Sequence, residues 1–113
     1  MPHLTLEHSA PLAESHDLQA LCQALFDSLA ALPEVPNPSS LKIRTIPCPV
    51  WVIGSEPSSF VHGTLLALPG RTDAQKAAMT AAVISTLSEF LPDVGSLSVN
   101  FGVLDAAYDK RTL

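Results

Sequence analysis

The sequence opens Met1-Pro2-His3-Leu4-Thr5-Leu6-Glu7. An initiator methionine is readily trimmed when the second residue is small, and trimming here would leave Pro2 with a free secondary amine. Such an amine is both a base and a nucleophile. While Met1 remains attached, the same nitrogen is a tertiary amide and cannot act as a base. Many chains begin Met-Pro to no effect, so the dipeptide alone leaves both readings open. Only six residues are Lys or Arg, which makes each arginine worth inspecting. The planar guanidinium groups of Arg44 and Arg71 suit carboxylate binding through paired hydrogen bonds. Arg71 reads equally as a solvated loop residue, and Arg44 as a surface strand residue pairing with Glu7. His62 could orient a substrate or satisfy a polar contact in a core or interface. Cys22 and Cys48 form neither a disulfide framework nor a CxxC pair, and no matching ligand cluster accompanies them, so no metal is expected.

Those groups need a frame, and hydrophobic periodicity supplies one. Leu4 and Leu6 alternate with His3, Thr5 and Glu7, the period-2 pattern of a half-buried strand at the start of the chain. A connector from Ser9 to Glu14 leads into a helix predicted from Ser15 or His16 to Leu32, with Ser15 as cap and Leu18, Leu21, Cys22, Leu25, Phe26 and Leu29 as its apolar stripe. Pro33 and Pro36 stop it, and Glu34 to Ser40 is loop. Leu41 to Ile46 alternates again, and Val50 to Ile53 is expected to be a short edge strand or a continuation past a bulge. After a turn at Gly54 to Ser59 comes a strand from Phe60 to Leu68. Pro69-Gly70-Arg71 then leads into a helix opened by a Thr72/Gln75 capping box, with Met79, Ala82, Val83, Leu87, Phe90 and Leu91 on its buried face. Leu97 to Val103 is the last long strand. The tail from Asp105 to Leu113 is expected to pack as a short strand or turn against a neighbouring subunit.

The order is strand, helix, strand, twice over, so each half is a βαβ unit with parallel strands. The fold class is α+β: two consecutive βαβ units forming a four-stranded mixed sheet with two helices on one face. Residues 1–113 make a single domain whose pseudo-repeat units are 1–54 and 55–113. Asn100 is expected at the place in the second unit that Arg44 holds in the first, which would make the halves inequivalent and leave one site per subunit.

Apolar residues are 47% of the chain and charged ones 15%, more apolar surface than a small domain hides alone, which points to a subunit interface. A net charge of −5 argues against nucleic acid, since phosphate binding needs a basic face. No basic start with an apolar run marks a signal peptide, and no run approaches the ~18 apolar residues of a membrane helix, so no membrane association is expected and a cytoplasmic location is the default.

The stretch Leu68-Pro69-Gly70-Arg71-Thr72-Asp73-Ala74-Gln75-Lys76 resembles the helix start of the 4-oxalocrotonate tautomerases. The chain as a whole is similar to their relatives with two fused βαβ units, the 5-carboxymethyl-2-hydroxymuconate delta-isomerases, and so to the tautomerase superfamily that includes macrophage migration inhibitory factor. The matching pieces are Met1-Pro2-His3, Ile43-Arg44, Phe60-Val61-His62 and Gly70-Arg71-Thr72. The resemblance implies a homotrimer with sites at or near subunit interfaces, no cofactor, and a small-molecule carboxylate as substrate. It implies that Pro2, once Met1 is gone, moves a proton on an unsaturated hydroxy or oxo acid such as 5-carboxymethyl-2-hydroxymuconate, in homoprotocatechuate breakdown. Arg71, Arg44 and His62 would bind that substrate. A chain-terminal amine lies near ~8 and a prolyl amine higher, so burial and nearby arginines would have to lower it. A non-catalytic oligomeric binding module, or a decarboxylase or dehalogenase on the same scaffold, are the other readings.

Overall fold

A computed structural model of the chain describes residues 2–113. Met1, on whose removal the chemistry of Pro2 depends, lies outside the described residues. The first strand, β1 (His3–Ser9), is followed by a single-turn helix α1 (Leu12–Ser15) and by α2 (Leu18–Ala30). A 3-10 turn at Pro38–Ser40 precedes β2 (Lys42–Cys48). The second half holds β3 (Phe60–Ala67), α3 (Asp73–Phe90) and β4 (Ser96–Val103).

The strands lie in the order β2-β1-β3-β4, with β1 parallel to β2, β3 parallel to β4, and β1 antiparallel to β3. This is the expected mixed sheet, two βαβ units joined through their first strands. Alternation divides its faces. Leu4, Leu6, Val61 and Leu65 are buried against Leu21, Leu25 and Leu29 of α2 and Met79, Val83 and Leu87 of α3, in one core under both helices. Among the described residues, no helix covers the other face. Three rows cross it: Lys42–His3–Leu66–Gly102, Arg44–Thr5–Thr64–Asn100 and Ile46–Glu7–His62–Ser98.

The helix boundaries follow local chemistry, with two departures from expectation. On α3, Thr72 accepts from the Gln75 amide (3.2 Å) while the Gln75 side chain accepts from the Thr72 amide (2.8 Å), the reciprocal cap that the sequence predicts. Its buried face carries Thr86, whose hydroxyl is satisfied by Ser28 of α2 (2.8 Å), whereas Phe90 at the helix end is 40% exposed. The start of α2 is displaced. Asp17, not Ser15, is its cap, accepting from the Ala20 amide (3.0 Å), and residues 12–15 turn separately because Leu12 is buried. His16 between them is extended, tied by Ser15 on one nitrogen and by Asp93 on the other (3.0 Å), a contact 77 residues away that no local pattern predicts.

Val50 to Ile53 is not a strand. β2 runs instead through Pro47 to Cys48 at the outer edge of the sheet, and beyond it, among the described residues, no further strand offers a ladder to join. Val50 and Val52 are 86% and 96% exposed, while Trp51 turns back onto Phe60, with ring centroids 6.3 Å apart.

Two glycines matter to this geometry. Gly70 turns the chain between β3 and α3 at φ +118°, where a side chain would be strained. Gly95 passes so close to Pro57 that a β-carbon would overlap the Pro57 carbonyl oxygen, which is backbone and cannot swing aside. Gly95→Ala should therefore destabilise the fold by at least ~2 kcal/mol, read from urea unfolding, whereas Gly54→Ala, in open space, should shift it by no more than a few tenths. Equal midpoints for the two variants would contradict this packing.

Candidate active site

Because β1 and β3 are antiparallel, the start of β1 lies beside the end of β3. Leu4 faces Leu65 and His3 faces Leu66, so one step further brings Pro2 to the level where β3 ends and the Pro69-Gly70-Arg71 turn begins. A cavity of about 250 Å³ opens at that corner, lined by Pro2, Val35, Pro36, Asn37, Ser40, Leu68 and Arg71. Pro2 is buried there, and among the described residues no carboxylate lines the cavity and Arg71 is its one cation.

Arg71 is held by backbone. Its Nε and Nη2 donate to the Glu34 carbonyl (3.2 and 3.0 Å) and its Nη1 donates to the Leu68 carbonyl (3.2 Å). A guanidinium has five N–H groups, so about two remain for an anion. The same contacts tie the 31–41 loop to the end of β3 and so shape the wall formed by Val35, Pro36 and Asn37. Arg71 is thus no free solvated loop residue. The adjacent start of α3 adds less than a bare helix end would, because the capping box already takes two of its amides.

The remaining sequence candidates are not brought to this cavity within one chain. Arg44 projects from the helix-free face, where its Nη1 lies 3.4 Å from His3 Nδ1; it bonds to His3 rather than pairing with Glu7. His62 lies on the same face beside Glu7, roughly 16 Å along the sheet from Pro2, with its Nδ1 2.7 Å from Ser98 Oγ. Phe101 packs on the helix side of the sheet under Lys76 and is core. Asn100 also shifts place. Each parallel pair opens with the same hydrogen bond, Lys42 N to the Pro2 carbonyl and Ser96 N to the Ser59 carbonyl (both 3.0 Å). Counting from it, Ser98 is the counterpart of Arg44 and Asn100 stands one pleat beyond; neither is a cation.

Sequence reasoning missed the loop side chains Asn37 and Ser40, and Tyr108 of the tail. The tail turns back onto its own chain, with Tyr108 OH 2.9 Å from His3 Nε2 and the two rings edge to face. A guanidinium only donates, so Nδ1 of His3 accepts from Arg44 and Nε2–H donates to Tyr108. Burial, then the charges of Lys42 and Arg44, hold the His3 pKa below its ordinary 6.5. The unfolded chain therefore takes up this proton first. The His3 contribution to stability is full above 6.5 and falls as the pH drops towards the lowered folded value. An NMR titration of the imidazole should give a midpoint below 6.5 that rises in both Lys42→Gln and Arg44→Gln. A midpoint unmoved by either change would remove the electrostatic cause.

The family model for 5-carboxymethyl-2-hydroxymuconate isomerase matches residues 2–100, a span that holds Pro2, Arg44, His62 and Arg71. The chain belongs to the 5-carboxymethyl-2-hydroxymuconate isomerase family. It is an isomerase of the tautomerase superfamily. A solved 5-carboxymethyl-2-hydroxymuconate delta-isomerase is similar over 99% of this chain and 88% of its own, with a TM-score of 0.84 and 19% identity. The 5-carboxymethyl-2-hydroxymuconate isomerase from Deinococcus radiodurans R1 is similar over 98% and 90%, with a TM-score of 0.83 and 26% identity. A fused 4-OT symmetric trimer shares the fold over 90% and 85%, with a TM-score of 0.67 and 21% identity. A comparison with curated proteins gives no significant match.

Proposed function

We propose that this isomerase is a cofactor-independent keto–enol tautomerase acting on a small unsaturated hydroxy or oxo acid with two or three carboxylates, 5-carboxymethyl-2-hydroxymuconate being the model substrate. The observation that carries the reading is the meeting of Pro2 and Arg71 in one carboxylate-free cavity. With Met1 removed, the Pro2 amine takes a proton from one position of the conjugated acid and returns it at another. Arg71 holds a substrate carboxylate through its remaining N–H groups and favours the charge that develops on the neighbouring oxygen. Apolar walls from Val35, Pro36 and Leu68 disfavour a protonated amine and so keep it available as a base.

On this proposal the chain acts in the cytoplasm as one domain of two pseudo-repeats and assembles as a homotrimer. Arg44 and His62, which face away from the cavity of their own chain, then join a site through contact between subunits. The similar fused 4-OT protein is a symmetric trimer, which favours that assembly for the fold. The test follows ultraviolet absorbance during turnover of 5-carboxymethyl-2-hydroxymuconate by protein whose N-terminus is verified by mass spectrometry, with light scattering on the same sample. Turnover by the trimmed form in a particle of three chains supports the reading. Full turnover by protein retaining Met1 would remove Pro2 from the mechanism, and a monomer would remove Arg44 and His62.

A further inference from the structure

A second and larger hollow adjoins the Pro2 cavity. It measures about 600 Å³ and is lined by Asn37, Ser39, Ser40, Lys42 and the tail residues Lys110 to Leu113. Asn37 and Ser40 line both spaces, so the two hollows share a wall. The larger one gathers Lys42, Lys110 and Arg111, half of the six cations in a chain of net charge −5, and among the described residues no acidic side chain lines it. Among the described residues, the side-chain charges of Lys110 and Arg111 have no ion-pair partner, and Lys42 Nζ reaches only the Ser40 carbonyl (3.2 Å). Three cations gathered where the Leu113 carboxyl terminus is the one anionic group on the lining leave the cleft net positive, and such a cleft draws in the opposite charge.

The tail is placed as far as Tyr108 by its own contacts. Leu104 N donates to the Ala67 carbonyl, Tyr108 N to the Asp105 carbonyl and Ala107 N to the Asp105 carboxylate, and Tyr108 docks on His3, the residue after Pro2. It also lies beyond residue 100, where the family match ends.

We infer that the tail builds a second anion subsite, in which Lys42, Lys110 and Arg111 receive the far carboxylate of a substrate whose reacting end lies between Pro2 and Arg71. This deepens the proposed function and rests on it for the identity of the substrate. The subsite selects for the number and reach of carboxylates. It has no part in the proton transfer.

The test uses the full-length, Met-trimmed protein and Lys110→Gln/Arg111→Gln. Two substrates are compared: 5-carboxymethyl-2-hydroxymuconate, with three carboxylates, and 2-hydroxy-2,4-pentadienoate, with one. The double variant should raise KM about fivefold for the tricarboxylate and leave kcat, and KM for the monocarboxylate, unchanged. Ser85→Glu/Ser88→Glu, exposed positions towards the opposite end of α3, lowers the net charge equally and should leave both KM values unchanged. An equal rise for both substrates, no rise, or the same rise in the charge control overturns the subsite. If the wild type turns over neither substrate, the proposed function fails, and calorimetry with tricarballylate judges the subsite alone. Binding weakened about fivefold by the double variant sustains it, and unchanged or absent binding overturns it.

Discussion

Pro2→Ala is expected to lower kcat by ~10²-fold on 5-carboxymethyl-2-hydroxymuconate, with KM little changed. Alanine keeps an amine after Met1 is trimmed, but a primary one, without the ring that fixes its direction into the cavity. A protein that retains Met1 should lose more, towards the ~10⁴-fold limit for a positioned general base, because an amide nitrogen has no lone pair to offer. Both proteins keep Arg71 and the cavity walls, so both should still bind a carboxylate inhibitor. The informative measurement is the pair kcat and inhibitor affinity. Loss of both together would mean that the substitution had disturbed the corner, and unchanged kcat would mean that the base lies elsewhere.

Arg71 should be the most sensitive side chain after Pro2, and in two ways at once. Arg71→Ala strips three hydrogen bonds from the Glu34 and Leu68 carbonyls and frees the loop that walls the cavity. That should cost ~1–3 kcal/mol of stability and, with the substrate anchor gone, ~10²-fold in kcat/KM. Arg71→Lys separates the two roles. Its point charge still attracts a carboxylate but cannot reach both carbonyls and a ligand together, so kcat/KM should recover only in part, to within ~10-fold of wild type. Wild-type kcat/KM in the lysine variant would show that charge alone matters and that the fork does not.

The sequence was most readable where the determining contacts are local. The Thr72/Gln75 cap, the leucine stripe of α2 and the alternation of β1 each lie within a few residues, and each has its expected form. Ser15 was the cap expected from the sequence, and Asp17 is the cap that forms. What chose Asp17 was burial of Leu12 and the reach of His16 to Asp93 across the fold. Val50 to Ile53 has strand-like composition, but composition does not reveal that β2 would be an edge strand with no partner outside it. The site divided in the same way. Arg71 follows Pro2 into the cavity because one antiparallel pairing fixes both. Arg44 and His62 depend on which face each residue takes and on what lies beyond the chain, which spacing along one sequence does not encode.

The opening hydrogen bonds of the two parallel pairs carry one more consequence. They make Ser59 the second-half counterpart of Pro2. Ser59 lies inside the chain, and its hydroxyl accepts from the Gly95 amide at 3.0 Å, closing the corner that Pro2 leaves open. Repeating a βαβ unit within one polypeptide multiplies strands and helices, but a free prolyl amine exists only at a beginning. Under the proposed chemistry, a fused pair of units therefore has one catalytic corner and one spare. The spare corner is held to packing alone, and its sequence is free to drift as far as Gly95 and its close neighbours allow.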